Sequence, residues 1–170
     1  MKKLTKKLPL HLIINANKKT SMKRIVDYRK LFNITQETDL AQLKIIYRNL
    51  MKEWHPDKFK EGDEQAAIAE TKSKTIIEAY HFLVSISKET HALNLEKYTE
   101  TIGNSGINDF LYKGQNLKVT FNDGSVYEYL GVPKNIYVKL INSSTQARFA
   151  RRHIFNSFVY RNVSKQTTVK

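Results

Sequence analysis

The stretch NLMKEWHPDKFKEGDEQ, residues 49–65, runs a helical pattern up to Trp54 and then meets His55-Pro56-Asp57. A residue that precedes proline is pushed out of the α region, so the helix must stop at His55. Upstream, Leu43, Ile46, Tyr47, Leu50 and Trp54 recur at helical intervals and form one apolar stripe. Lys44, Arg48 and Lys52 form a second, basic stripe at i, i+4, i+8. Thr38 or Asp39 offers the N-cap, and Asp39 with Gln42 has the spacing of a capping box. Downstream, Gly62 and Asp63 mark a restart, and Ala69, Ser73, Ile76, Tyr80 and Leu83 keep 3–4 spacing. A shorter helix fits Asp27 to Phe32. Two long helices joined by a short loop form an antiparallel hairpin, which places residues 55–57 at an exposed tip.

That tip is a poor place for chemistry. His55 and Asp57 supply two ligands, fewer than a stable metal site needs, and His81, His91 and His153 stand apart in sequence. Catalytic sites are concave, whereas a hairpin tip is convex. No cysteine is present, which removes thiol catalysis and thiolate metal ligands. No catalytic residue, metal or cofactor is therefore expected. A loop that presents shape and charge to a partner protein fits best. Asp57 can accept a charge-assisted hydrogen bond from a partner arginine. Pro56 fixes the turn and lowers the ordering cost of binding. His55 can cap the helix or hold Asp57, and the Lys44/Arg48/Lys52 face can steer an acidic partner.

From about Ile107 the period changes to two. Leu117, Val119 and Phe121 alternate with polar residues, Asn122-Asp123-Gly124 signals a hairpin, and Val126, Glu128 and Leu130 alternate with Tyr127 and Tyr129. Pro133 opens a helix through about Ile141, a second helix covers Ser144 to His153, and Ser157 to Arg161 closes as a strand. The fold class is thus α+β: an all-α hairpin bundle followed by a small α+β unit. The expected boundaries are a basic leader that need not be ordered (1–24), the helical domain (25–98), a linker (99–106), the α+β domain (107–165) and a tail (166–170).

The net charge of +13 is unevenly placed. Residues 1–24 hold eight basic and no acidic residues, residues 25–100 are near neutral, and residues 101–170 hold ten basic and three acidic residues. Such blocks point to polyanions. The last segment also carries ten aromatics, and cations interleaved with aromatics suit single-stranded nucleic acid. Tyr127 and Tyr129 are the stacking candidates. Arg148, Arg151 and Arg152, which share a helix face, are the phosphate candidates. The apolar run Leu8–Ile14 is too short to span a bilayer and lacks a cleavage site, so a soluble, cytoplasmic monomer without membrane contact is expected.

DYRKLFNI, LKIIYRNLMKEWHPDKF and IIEAYHFL, in that order and spacing, resemble the J-domain of DnaJ-type co-chaperones over about Asp27 to Tyr98. The resemblance implies a small helical bundle that binds a DnaK-type chaperone and stimulates its ATP hydrolysis without catalysing anything itself. The implied contacts are His55, Pro56 and Asp57 with Lys44, Arg48 and Lys52. Asn49 and Glu53 stand where many members are basic, which thins the positive face. Ser73 stands where phenylalanine is usual, and Ile77, Phe82 or Phe59 would have to refill the space. The glycine/phenylalanine-rich region and zinc-binding cysteines of full-length DnaJ proteins are absent, which favours a specialised protein whose other domain chooses the client.

Residues from about Ser105 to Val163 resemble the KTSC domain. The resemblance rests on Tyr127-Glu128-Tyr129 after the turn, on Val132-Pro133 and on Arg152-His153-Ile154. Ala147 replaces a usual glycine. RNA is the partner usually suspected for that family. The combined expectation is a J-domain co-chaperone targeted to RNA, a ribonucleoprotein or another acidic client. The alternative is a nucleic-acid-binding protein in which the J-like hairpin is only a platform.

Overall fold

In the computed structural model, residues 21–60 and 64–164 are described. The predictions for most of the basic leader lie outside them, as do Gly62 and Asp63. The packing divides the described residues into two compact units, residues 23–84 and residues 85–164, with Ser21 and Met22 grouped with the second.

The first unit contains three helices: α1 (Ser21–Phe32), α2 (Leu40–Trp54) and α3 (Glu64–Ser85). Helix α1 begins at Ser21 rather than Asp27, so Lys23 and Arg24 belong to the bundle and not to a free leader. Arg24 is a tie: it donates from Nε to the Tyr28 hydroxyl at 3.1 Å and pairs with the Glu78 carboxylate on α3. Its guanidinium also lies 4.7 Å from the Phe82 ring centroid. Ile25, Tyr28 and Phe32 are buried along one face of α1. Asn33 (φ 53°) ends that helix, with the Asn33 and Ile34 amides donating back to the Lys30 and Arg29 carbonyls, a Schellman closure.

Helix α2 starts as the spacing requires. The Asp39 carboxylate accepts from the Gln42 amide at 2.7 Å. Tyr47 stacks on Tyr80, and Lys72 sits over Trp54, so the contacts run in opposite senses along α2 and α3 and the hairpin is antiparallel. Ser73 is buried, and its hydroxyl donates to the Glu70 carbonyl of its own helix at 2.9 Å. Phe82 is buried in an edge-to-face contact with Tyr28, whereas Ile77 is 37% exposed and refills nothing.

The second unit is an antiparallel sheet in the order β1 (Ile107–Lys113), β2 (Asn116–Phe121), β3 (Val126–Leu130), β4 (Val159–Asn162). Helices α5 (Lys134–Ile141) and α6 (Gln146–His153) lie between β3 and β4 in sequence. Gly114 and Gln115 both have positive φ, the conformation that a two-residue hairpin needs to match strand twist. Leu117, Val119 and Phe121 of β2 face the core with Tyr127 and Tyr129 of β3, beneath Leu140, Ala150, Ile154 and Phe155. Ala147 sits in the first turn of α6, a helical position that asks nothing of glycine. Glu128, between the two tyrosines, is buried in an ion pair with Arg161 at 2.6 Å.

The boundary read from sequence at residues 99–106 is different in the structure. Residues 99–104 are the end of a continuous helix, α4 (Lys88–Asn104), that packs in the second unit. Tyr98 and Ile102 are part of that unit's core. The Tyr98 hydroxyl donates to the Phe155 carbonyl at 2.6 Å and lies 3.3 Å from the Tyr129 hydroxyl, which is left to donate to it. Tyr160 is stacked between Tyr98 (3.8 Å) and His91 (4.3 Å), and His91 Nε2 donates to the Tyr160 carbonyl. Thr101 donates to the Asp123 carboxylate. An α+β segment of about 60 residues is short of core by itself, and α4 adds Tyr98 and Ile102 to it.

Two predictions follow from this packing. Tyr98→Ala should lower the unfolding free energy of the second unit by about 3–5 kcal/mol, the range for a large buried ring, in urea denaturation followed by tyrosine fluorescence. Burial also pushes the phenols of Tyr98 and Tyr129 far above the usual tyrosine value. A raised folded-state value means that stability is intact below about pH 10, the unfolded value, and falls as pH rises further. Each phenol held neutral should cost about 1.4 kcal/mol per pH unit in that window, which a pH series of thermal melts would register as an alkaline decline.

Candidate functional site

Trp54 is the last residue of α2 because His55 is extended (φ −66°, ψ 129°), as a residue before proline must be. Pro56, Asp57 and Lys58 then form one 3-10 turn. The Lys58 amide donates to the His55 carbonyl at 3.1 Å and the Phe59 amide to the Pro56 carbonyl at 3.0 Å. The Asp57 amide donates to His55 Nδ1 at 3.3 Å. The turn therefore satisfies its own backbone and needs no outside support. In the neutral ring that bond leaves the proton on Nε2, pointing away from the turn. His55 Nδ1 is also 3.4 Å from the Asp57 carboxylate, so a protonated ring would pair with it. The Asp57 side chain is 87% exposed, so nearly all of its acceptor surface is presented outward.

The basic stripe lies where the spacing placed it: Lys44, Arg48 and Lys52 are all exposed on α2. Asn49 and Glu53 are exposed beside them. Tyr47 and Trp54 are half-buried and packed on α3, as their place on the apolar stripe implies. Two features escaped the sequence reading. Lys72 Nζ lies 3.1 Å from the Trp54 ring centroid, a cation–π contact that holds the base of the tip to α3. The antiparallel register set by Tyr47 and Tyr80 could have found it, since Trp54 is seven residues on from Tyr47 and Lys72 eight residues back from Tyr80. Ile45, 57% exposed, lies between Lys44 and Arg48 and adds apolar surface to the basic face. Its neighbourhood to the apolar stripe concealed it.

The C-terminal candidates fare differently. Tyr127 and Tyr129 are 1% and 0% exposed, so neither can stack on a base; their rings complete the core instead. Arg151 is also engaged: it donates from Nε to the Ile102 carbonyl at 2.7 Å and from a terminal nitrogen to the Gly103 carbonyl at 2.9 Å. A guanidinium there satisfies carbonyls at the end of α4 and meets the negative end of its dipole. Arg148 and Arg152, one turn apart on α6, are exposed. Among the described residues no group of three His, Asp or Glu side chains could hold a metal, and no helix is long and apolar enough to cross a membrane.

Comparison with known proteins finds one family on each side of the middle of α4. The DnaJ domain model matches residues 27–91, and the KTSC domain model matches residues 104–158. The chaperone protein DnaJ of Mesomycoplasma hyopneumoniae (strain 232) is 37% identical over 73 residues, 42% of this chain and 19% of that protein. The chaperone protein DnaJ of Aliarcobacter butzleri (strain RM4018) is 31% identical over 104 residues, 61% of this chain and 25% of that protein. DnaJ homolog subfamily B member 6 of Bos taurus is 36% identical over 103 residues, 61% of this chain and 38% of that protein. The chain thus spans well under half the length of these relatives. Tip, hairpin and sheet together identify the chain as one that carries a J-domain, residues 27–91, followed by a KTSC domain, residues 104–158.

Proposed function

We propose that this protein is a co-chaperone. Its J-domain docks on a DnaK-type chaperone through His55, Pro56 and Asp57 with Lys44, Arg48 and Lys52, and stimulates that partner's ATP hydrolysis. The KTSC domain targets the pair to RNA, a ribonucleoprotein or another acidic client. The observation that carries this reading is the self-satisfied turn at residues 55–58, which holds an exposed carboxylate beside a basic helix. A turn that is already ordered loses little entropy on docking. Asp57 is placed to accept a bidentate bond from a partner arginine, and the α2 cations raise the encounter rate with an acidic surface. The protein itself supplies no reacting group; catalysis belongs to the ATPase.

Single-turnover ATP hydrolysis by a DnaK-type chaperone should be stimulated by the wild-type protein and not by His55→Gln, with both folded by circular dichroism. Absence of stimulation by either, after the host's own chaperones have been tried, would leave the hairpin as scaffold. Lys72→Met keeps the aliphatic stem but removes the charge over Trp54. It should cost the J-domain about 0.5–1 kcal/mol in thermal denaturation and weaken stimulation less than His55→Gln does.

A further inference from the structure

From Tyr129 to Lys170 the chain has eight lysines and arginines and not one aspartate or glutamate. Helices α5 and α6 fall within this stretch, joined by the short polar loop 142–145. Lys134, Lys139, Arg148 and Arg152 are exposed on them and pair with no carboxylate among the described residues. Arg24, Lys74 and Arg161, by contrast, are in ion pairs, and Arg151 caps α4. Four unpaired cations on two adjacent helices, with no acid nearby in sequence, form a field suited to phosphates.

The same unit offers unpaired bases no freely exposed ring: four of its ten aromatics are buried and six are half-buried. None of the ten aromatics in residues 101–170 is exposed. Phe121, Tyr127, Tyr129 and Phe155 are buried. Several of the half-buried rings already have a face covered: Tyr112 stacks on Tyr137, and Tyr160 lies between His91 and Tyr98. Single-strand binding relies on free aromatic faces, whereas double-stranded RNA is recognised by shape, phosphates and 2′-hydroxyls. Cations fixed on rigid helices match phosphates fixed on a rigid duplex. Exposed Asn142 and Ser144, between the helices, offer donors and acceptors for 2′-hydroxyls.

We infer that helices α5 and α6 of the KTSC domain bind base-paired RNA through its backbone, independently of sequence. The inference rests on the RNA-targeting reading above and narrows it to a duplex.

Fluorescence anisotropy of the full chain would compare a short RNA duplex, either of its strands alone, the matching DNA duplex and anionic lipid vesicles. The RNA duplex should bind most tightly, with an affinity that falls steeply with salt and does not change with base sequence. The double variant Arg148→Gln/Arg152→Gln should make the log–log salt slope shallower by about two; Lys23→Gln/Lys30→Gln on α1, an equal loss of charge, should leave it unchanged. Tighter binding of the unpaired strands would overturn the inference and leave the RNA reading standing. Binding to no RNA at all would remove both. Preference for the DNA duplex or for vesicles, or an Arg148/Arg152 variant that is folded and binds as the wild type does, would equally overturn it.

Discussion

Pro56 has no amide hydrogen, and its ring forbids the α conformation to the residue before it. Helix α2 must therefore end at Trp54, and the chain must turn where it would otherwise continue. Everything in the first unit is arranged about that stop. A helix of 15 residues with its apolar stripe on one side can bury that stripe only if a second helix returns beside it, and the turn at 56–58 begins the return. Because the turn closes its own hydrogen bonds, nothing needs to cover it, and the Asp57 carboxylate can stand in solvent. The exposed functional group is thus a by-product of a backbone constraint.

The hairpin was legible in the sequence because its signals are local. Asp39 as the cap, the proline stop and the 3–4 apolar spacing each act within one or two turns, and each is realised. The start of α1 was missed although Thr20-Ser21 are cap-type residues and Ile25 stands at helical spacing from Tyr28 and Phe32; a further tie on that turn, Arg24 reaching Glu78, lies far along the chain and could not be read locally. Helix α4 was misread for a related reason. Gly103 and Gly106 look like linker residues, yet Gly103 belongs to the helix whose terminal carbonyls Arg151 satisfies. Nothing local in KYTETIGN announces that a guanidinium almost fifty residues away will complete it.

Tyr127 and Tyr129 show a different limit. Alternation correctly placed them on one face of a strand, but it cannot say whether that face meets a base or a core. The deciding fact is that α4 brings Tyr98 and Ile102 to that face, together with residues of the helical layer. A buried phenol needs a partner, and Tyr129 finds one in Tyr98, whose own hydroxyl reaches the Phe155 carbonyl. That chain joins α4, β3 and the segment after α6. The aromatic content that suggested nucleic-acid stacking is the material from which this small core is built.

Removing the aromatics from the binding reading sharpens what the cations can mean. Charge that is paired, as in Glu128 with Arg161 or Arg24 with Glu78, stabilises the fold and is silent to partners. Charge that is exposed and unpaired contributes little to folding and remains open to a ligand. Two sets of this kind differ in their surroundings: Lys44, Arg48 and Lys52 on α2 beside an exposed carboxylate, and Lys134, Lys139, Arg148 and Arg152 on helices without any acid. A mixed surface with a protruding Asp57 suits a protein partner that must be met in one orientation. A surface of one sign, without free rings or a carboxylate to set register, suits a repeating polyanion that can be met anywhere along its length. The two sets therefore differ in kind: one surrounds a carboxylate that can set register, and the other carries charge of a single sign.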